Sequence, residues 1–141
     1  LAQERLRSIA DYNQTVDPSN QIRPIVVVVD EFANLADQVA HDRHAKAELY
    51  NNVRRIAEAG RSRSVHLVLC TQRPTADMFP SNIKTLMNAR VAFRMNSPID
   101  SRTILDDNGA ENLLGKGDML FRSEMGTERL QGFFVGVEDL H

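Results

Sequence analysis

The sequence predicts an α/β domain of three layers, with helices on both sides of a largely parallel central sheet and a hairpin at the carboxyl-terminal end. Three observations carry that prediction. Ile25 to Val29, I-V-V-V-V, is a β-branched run without polar alternation, the pattern of a strand covered on both faces. A second, largely apolar run, Val65 to Cys70, follows a stretch of helical periodicity, which is the order of a right-handed crossover between parallel strands. The 141 residues include 42% apolar and 26% charged side chains, seven glycines and five prolines. Those values suit one globular domain of about 100 to 200 residues and exclude collagen-like or disordered chains.

Taken in order, Leu1 to Asn13 places Leu6, Ile9 and Ala10 at helical spacing, with no cap or turn before Leu1. The expectation is a helix in a chain that begins inside a longer polypeptide. Asn13 to Pro24 is rich in Asn, Asp, Gln and Pro and reads as a loop, with Pro24 at the edge of the first strand. That strand, Ile25 to Val29, ends on Asp30 and Glu31. Ala45, Leu49, Val53, Ile56 and Ala57 then repeat at helical spacing, and Gly60 supplies a stop. Val65 to Cys70 is the second strand, closed by Thr71, Gln72, Arg73 and Pro74. Pro80 to Met87 predicts a short helix and Arg90 to Phe93 a third strand. Asp100 to Asp106 and Ala110 to Leu114 are short helices separated by Asn108-Gly109. Met119 to Phe121 and Gly132 to Val137 are strands joined by the polar segment Arg122 to Arg129, which gives the terminal hairpin. Without an internal repeat, the alternation favours a single domain over residues 1–141.

Composition removes several classes of function. One cysteine, Cys70, rules out an intramolecular disulfide and any zinc site built on two cysteines, and it favours a reduced compartment. The longest purely apolar run has five residues against the roughly 20 of a membrane-spanning helix. The formal net charge of -2 gives no global reason to bind nucleic acid. DNA contact would have to come from a local patch or from several copies of a patch around one duplex.

The chemistry concentrates at two strand ends. The first delivers Asp30 and Glu31 to the carboxyl end of a buried strand, where open α/β sheets place ligands. In a nucleotide hydrolase, one such acid holds magnesium through water and the next activates the water that attacks the terminal phosphate. Asp30 is the metal-side residue and Glu31 the base; a plain solvated strand end is the competing reading. The second strand end offers Thr71 and Gln72, neutral groups able to hydrogen-bond water or phosphate. Gln72 is the better sensor because its amide both donates and accepts. Arg54, Arg55, Arg61 and Arg63 outnumber Glu58 and leave a local surplus of three positive charges, suited to phosphate or to plain solvation. Arg90, Arg94 and Arg102 are candidates to complete a neighbouring subunit's site in a ring. His41 and His44 complete no zinc constellation. No G-x-x-x-x-G-K-[ST] occurs, and Gly115-Lys116-Gly117-Asp118 reads as a turn, since it lacks the loop that cradles phosphate.

V-V-V-V-D-E-F at Val26 to Phe32, H-L-V-L-C-T-Q-R-P at His66 to Pro74, I-D-S-R-T-I-L-D at Ile99 to Asp106 and G-A-E-N-L-L-G-K-G-D-M-L-F at Gly109 to Phe121 together resemble the motor domain of FtsK/SpoIIIE-type double-stranded DNA translocases. The resemblance implies a partial RecA-like P-loop NTPase fold, with the chain as the carboxyl-terminal part of the motor domain and the Walker A region upstream of it. It implies ATP and Mg2+ as cofactors, double-stranded DNA as cargo, a homo-hexameric ring, and roles in chromosome segregation or DNA transfer. It assigns Asp30 and Glu31 to Walker B, places Thr71 and Gln72 in the sensor region and makes Arg102 a candidate for the trans-acting arginine. The motor is then cytoplasmic, with any membrane anchor elsewhere in the parent protein. A protein-secretion motor and a catalytically silent interaction fragment are the alternatives, because a shared fold does not by itself fix cargo or activity.

Overall fold

A computed structural model describes residues 8–139. The chain folds as two compact units, one up to Arg73 and one from Pro74. The expected first helix is present as α1 (Ile9–Thr15), while the part of that expectation on residues 1–7 lies outside the described residues. Ser8 caps α1 by accepting the Asp11 amide at 3.0 Å. Asn13 then closes the following loop on itself, donating from Nδ2 to the Ile22 carbonyl at 2.8 Å and accepting the Ile22 amide at 2.9 Å.

β1 (Ile25–Val29) and β2 (Val65–Leu69) pair in parallel, Ile25 opposite Val65 through Val29 opposite Leu69. Between them run α2 (Phe32–Gln38) and α3 (Arg43–Gly60). The stripe predicted for α3 is the inward one. Val53 is buried, and Ala45, Leu49, Ile56 and Ala57 are half-buried among exposed neighbours. α2 is absent from the sequence expectation. It starts directly after Glu31, buries Phe32 and Ala33, and sets the Phe32 ring edge-on to Tyr50 of α3 with centroids 6.0 Å apart.

Gly60 differs from its predicted role. It keeps right-handed helical angles, and the left-handed residue that turns the chain into β2 is Ser64, φ 50°. Glycine is required at 60 because a Cβ there would collide with the Val65 backbone carbonyl. The sheet expectation also needs adjustment. α3 packs against β2, and Val27, Val29, Leu67 and Leu69 are half-buried. On the opposite face Val26 and Val28 are 60% and 61% exposed, so β1 is covered on one side only among the described residues.

The second unit contains α4 (Ser81–Lys84), β3 (Arg90–Phe93), α5 (Pro98–Leu105), β4 (Asp118–Ser123) and β5 (Gly126–Gln131). Its strands form an antiparallel sheet in the order β3-β4-β5. The third predicted strand therefore pairs with the terminal hairpin, in a sheet separate from the parallel pair. Ala92, Leu105, Ala110 and Leu113 form its buried core, with Met95, Ile104 and Leu120 packed around them. Ser97 caps α5 and Pro98 opens it, while Asp106 in the left-handed region, φ 57°, ends it. Ser101, fully buried, donates to the Asp107 carbonyl at 2.7 Å and accepts the Ala110 amide at 3.1 Å. This pins the I-D-S-R-T-I-L-D segment to the turn that follows it.

The hairpin stands, but its second strand is Gly126–Gln131 rather than Gly132 to Val137. T-E-R-L-Q is exposed along its whole length, so no burial-driven alternation marks it, whereas the apolar Phe133 to Val135 segment lies outside the sheet. Gly115, Lys116 and Gly117 have φ of 82°, 55° and 89° in succession, the tight turn that the glycine pattern predicted before β4. The second helix expected after Asn108-Gly109 is a single 3-10 turn, Ala110–Asn112.

Candidate functional site

The parallel register continues past the ends of β1 and β2. Cys70 donates its amide to the Val29 carbonyl at 2.8 Å, and Phe32 donates to the Cys70 carbonyl at 2.8 Å. Glu31 and Thr71, 40 residues apart in sequence, consequently meet side by side. Three donors converge on the Glu31 carboxylate. Thr71 Oγ1 donates to Oε1 at 2.5 Å, the Gln72 amide donates to Oε2 at 3.0 Å, and the Ala33 amide donates to Oε1 at 3.3 Å, which makes Glu31 the amino-terminal cap of α2. These bonds, the Thr71 hydroxyl first and the Gln72 amide next, hold the Glu31 carboxyl below its ordinary pKa. They outweigh the opposing effect of burial, with the Arg73 charge adding a smaller push in the same direction.

Thr71 is itself fixed. Its Oγ1 accepts the Arg73 amide at 3.1 Å, so the hydroxyl hydrogen is directed at Glu31. Arg73 reaches Asp37 of α2 at 2.7 Å, a second tie between the end of β2 and α2. Of the residues singled out in the sequence, Asp30, Glu31, Thr71 and Gln72 thus stand together at one pair of strand ends. Gln72 touches Glu31 through its backbone amide, not through the side chain expected to sense ligand. Asp30 is exposed and makes no hydrogen bond or ion pair among the described residues. Magnesium typically takes one or two carboxylates and keeps several waters, and an unengaged carboxylate at a strand end fits that need. Among the described residues no three His, Cys, Asp or Glu side chains gather into a closed metal cage.

The candidate arginines belong to the second unit and are not equivalent. Arg90 is committed internally, donating to Asp106 at 2.6 Å and to the Ile104 carbonyl at 2.9 Å, with Lys84 on the same carboxylate at 2.5 Å. Arg94 and Arg102 are exposed, and Arg102 donates to Asn108 Oδ1 at 3.0 Å. In the basic stretch of α3, Arg54 pairs with Glu58 at 3.1 Å, while Arg55 and Arg63 border a shallow depression beside Gly60. Sequence reasoning missed α2 and the Arg73–Asp37 pair. The available signal was Glu31 itself, an acidic cap followed by Phe32, Leu35 and Ala36 at helical spacing.

Among the described residues no helix is long and apolar enough to cross a membrane. Two solved structures share the architecture. One is the pCW3 conjugation coupling protein TcpA with ATPγS, TM-score 0.78 and 27% identity, over 90% of this chain and 37% of that one. The other is the cytoplasmic domain of the Thermomonospora curvata Type VII secretion ATPase EccC, TM-score 0.77 and 25% identity, over 92% of this chain and 15% of that one. The fold is accordingly the RecA-like α/β fold of these two proteins. DNA translocase FtsK of Streptococcus agalactiae serotype V is 40% identical over 145 residues, 96% of this chain and 17% of that protein. DNA translocase FtsK of Streptococcus pneumoniae is 40% identical over 150 residues, 99% of this chain and 19% of that protein. The chain spans less than a fifth of the length of these relatives. The FtsK/SpoIIIE family pattern matches residues 1–76, more than half of the sequence, and with 40% identity along nearly all of it the chain belongs to the FtsK/SpoIIIE family.

Proposed function

We propose that this chain is the Walker B and sensor part of an ATP-driven motor that moves double-stranded DNA. One observation carries the reading: adjacent acids at the end of a parallel strand, one unengaged among the described residues and one bonded to the neighbouring strand. In the assembled motor, Asp30 holds magnesium through water, and the ion supplies charge neutralisation at the terminal phosphate. Glu31 accepts a proton from the attacking water as its oxygen bonds to the γ-phosphorus and the bond to the bridging oxygen of ADP breaks, giving ADP and phosphate. Thr71 and Gln72 form the sensor region at the end of β2, with the Gln72 side chain as the group offered to the terminal phosphate, and Arg102 is the arginine offered to a neighbouring subunit in a homo-hexameric ring. The phosphate-gripping G-x-x-x-x-G-K-[ST] loop has to come from another part of the motor, so the activity belongs to the complete protein. Duplex DNA is the favoured cargo because the relatives at 40% identity are DNA translocases. Polypeptide cargo is the second reading, favoured by the likeness to the Type VII secretion ATPase.

The test uses the complete motor. ATP turnover is measured with linear duplex DNA, with single-stranded DNA and without nucleic acid, and displacement of a third strand from a triplex reports movement. Duplex-stimulated turnover with displacement is expected; turnover indifferent to DNA with no displacement would overturn the cargo assignment. Glu31→Gln is expected to lower turnover by at least about a hundred-fold while nucleotide binding persists. Unchanged turnover would remove Glu31 from its role as base.

A further inference from the structure

We infer that Thr71 is a positioning residue that acts through Glu31, fastening the base to the end of β2, rather than a direct ligand of nucleotide. The inference rests on the role proposed above for Glu31. Its basis is the direction of the bonds around one hydroxyl. Thr71 Oγ1 accepts the Arg73 amide at 3.1 Å and gives its single hydrogen to Glu31 Oε1 at 2.5 Å. The hydroxyl hydrogen is thus directed at one carboxylate oxygen, and the Gln72 amide secures the other at 3.0 Å. A glutamate has three side-chain torsions, and a base contributes only when its carboxylate lies within hydrogen-bond reach of the water it deprotonates. Of the three donors only the Thr71 hydroxyl belongs to a side chain, so it is the one that substitution can remove. The main-chain donors, Ala33 and Gln72, persist in any variant at these positions except proline.

Thr71→Val keeps the shape and removes the hydroxyl, whereas Thr71→Ser keeps the hydroxyl. In the complete motor, Thr71→Val is expected to lower kcat about ten-fold with the KM for ATP changed less than about two-fold, and Thr71→Ser to restore most of the loss. Binding of a non-hydrolysable ATP analogue shows that each variant is folded and competent to bind. The second arm places Thr71→Val in a Glu31→Asp background, whose shortened side chain no longer spans to the hydroxyl. There the substitution is expected to cost less than about two-fold, since residues acting as one unit are non-additive. Weakened analogue binding, an equal loss in Thr71→Ser, or a full ten-fold loss in the Glu31→Asp background would each overturn the inference. Glu31→Gln in the same assay separates the two claims. If that variant turns over normally, the assignment of the base fails; if it is inactive while Thr71→Val is normal, only the positioning role fails.

Discussion

Single residues here owe their properties to partners distant in sequence. Asp30 and Glu31 are legible as a pair because a carboxylate at a strand end is visible in one dimension, but the bonds that orient Glu31 come from Thr71 and Gln72, 40 and 41 residues later. Asp118 is a second case. It stands in a motif read as a turn, and the fold gives it a two-point bond from Arg129, Nε to Oδ1 at 2.9 Å and a terminal guanidinium nitrogen to Oδ2 at 2.7 Å, plus the Leu114 amide at 2.7 Å. The Arg129 bond first and the Leu114 amide next bring its pKa from an ordinary 3.8 down to about 2. A depressed carboxylate pKa stabilises the fold above the unfolded value and loses that contribution as pH falls through the folded one. The stability margin of the parent chain over Asp118→Asn should therefore be full above about pH 4 and shrink toward about pH 2. Urea unfolding across that range checks it, and a margin independent of pH would refute the linkage.

Elements were legible where one apolar face is buried and obscure where none is. β1, α3, β2 and β3 follow their predicted spans closely because each has strong periodicity or a concentrated β-branched run. β5 was missed because every residue in it is exposed, and α2 because its seven residues bury only Phe32 and Ala33. The junction of α3 with β2 carries a prediction whose sign separates two accounts of Gly60. A glycine with helical angles and free space around it would gain about 0.4–1 kcal/mol on replacement by alanine. Here the added Cβ meets the Val65 carbonyl, a backbone atom that cannot swing aside, so Gly60→Ala should cost roughly 1–3 kcal/mol. The shift in denaturant midpoint measures it, and a gain in stability would show that the turn yields without strain.

For the molecule as a whole, β1 carries a run that reads as doubly buried, yet Val26, Val28 and Val68 are exposed on one face of the parallel pair. Isolated chains presenting this face should self-associate with rising concentration. Replacing Val26 and Val28 together by threonine should suppress that association in sedimentation velocity, while unfolding free energy changes by less than about 0.5 kcal/mol per site. Loss of folding instead would mean that the face is packed within the monomer. The sequence by itself determined the α/β class, the strand that carries Asp30 and Glu31, the helix that covers one face of the parallel pair, and the family, because these rest on local periodicity and on ordered short motifs. Only the tertiary structure decided that β3 joins the hairpin, that Arg90 is committed to Asp106, and that Thr71 holds Glu31. Strand pairing and side-chain hydrogen bonds join residues far apart along the chain, and their geometry exists only after the backbone has brought those residues together.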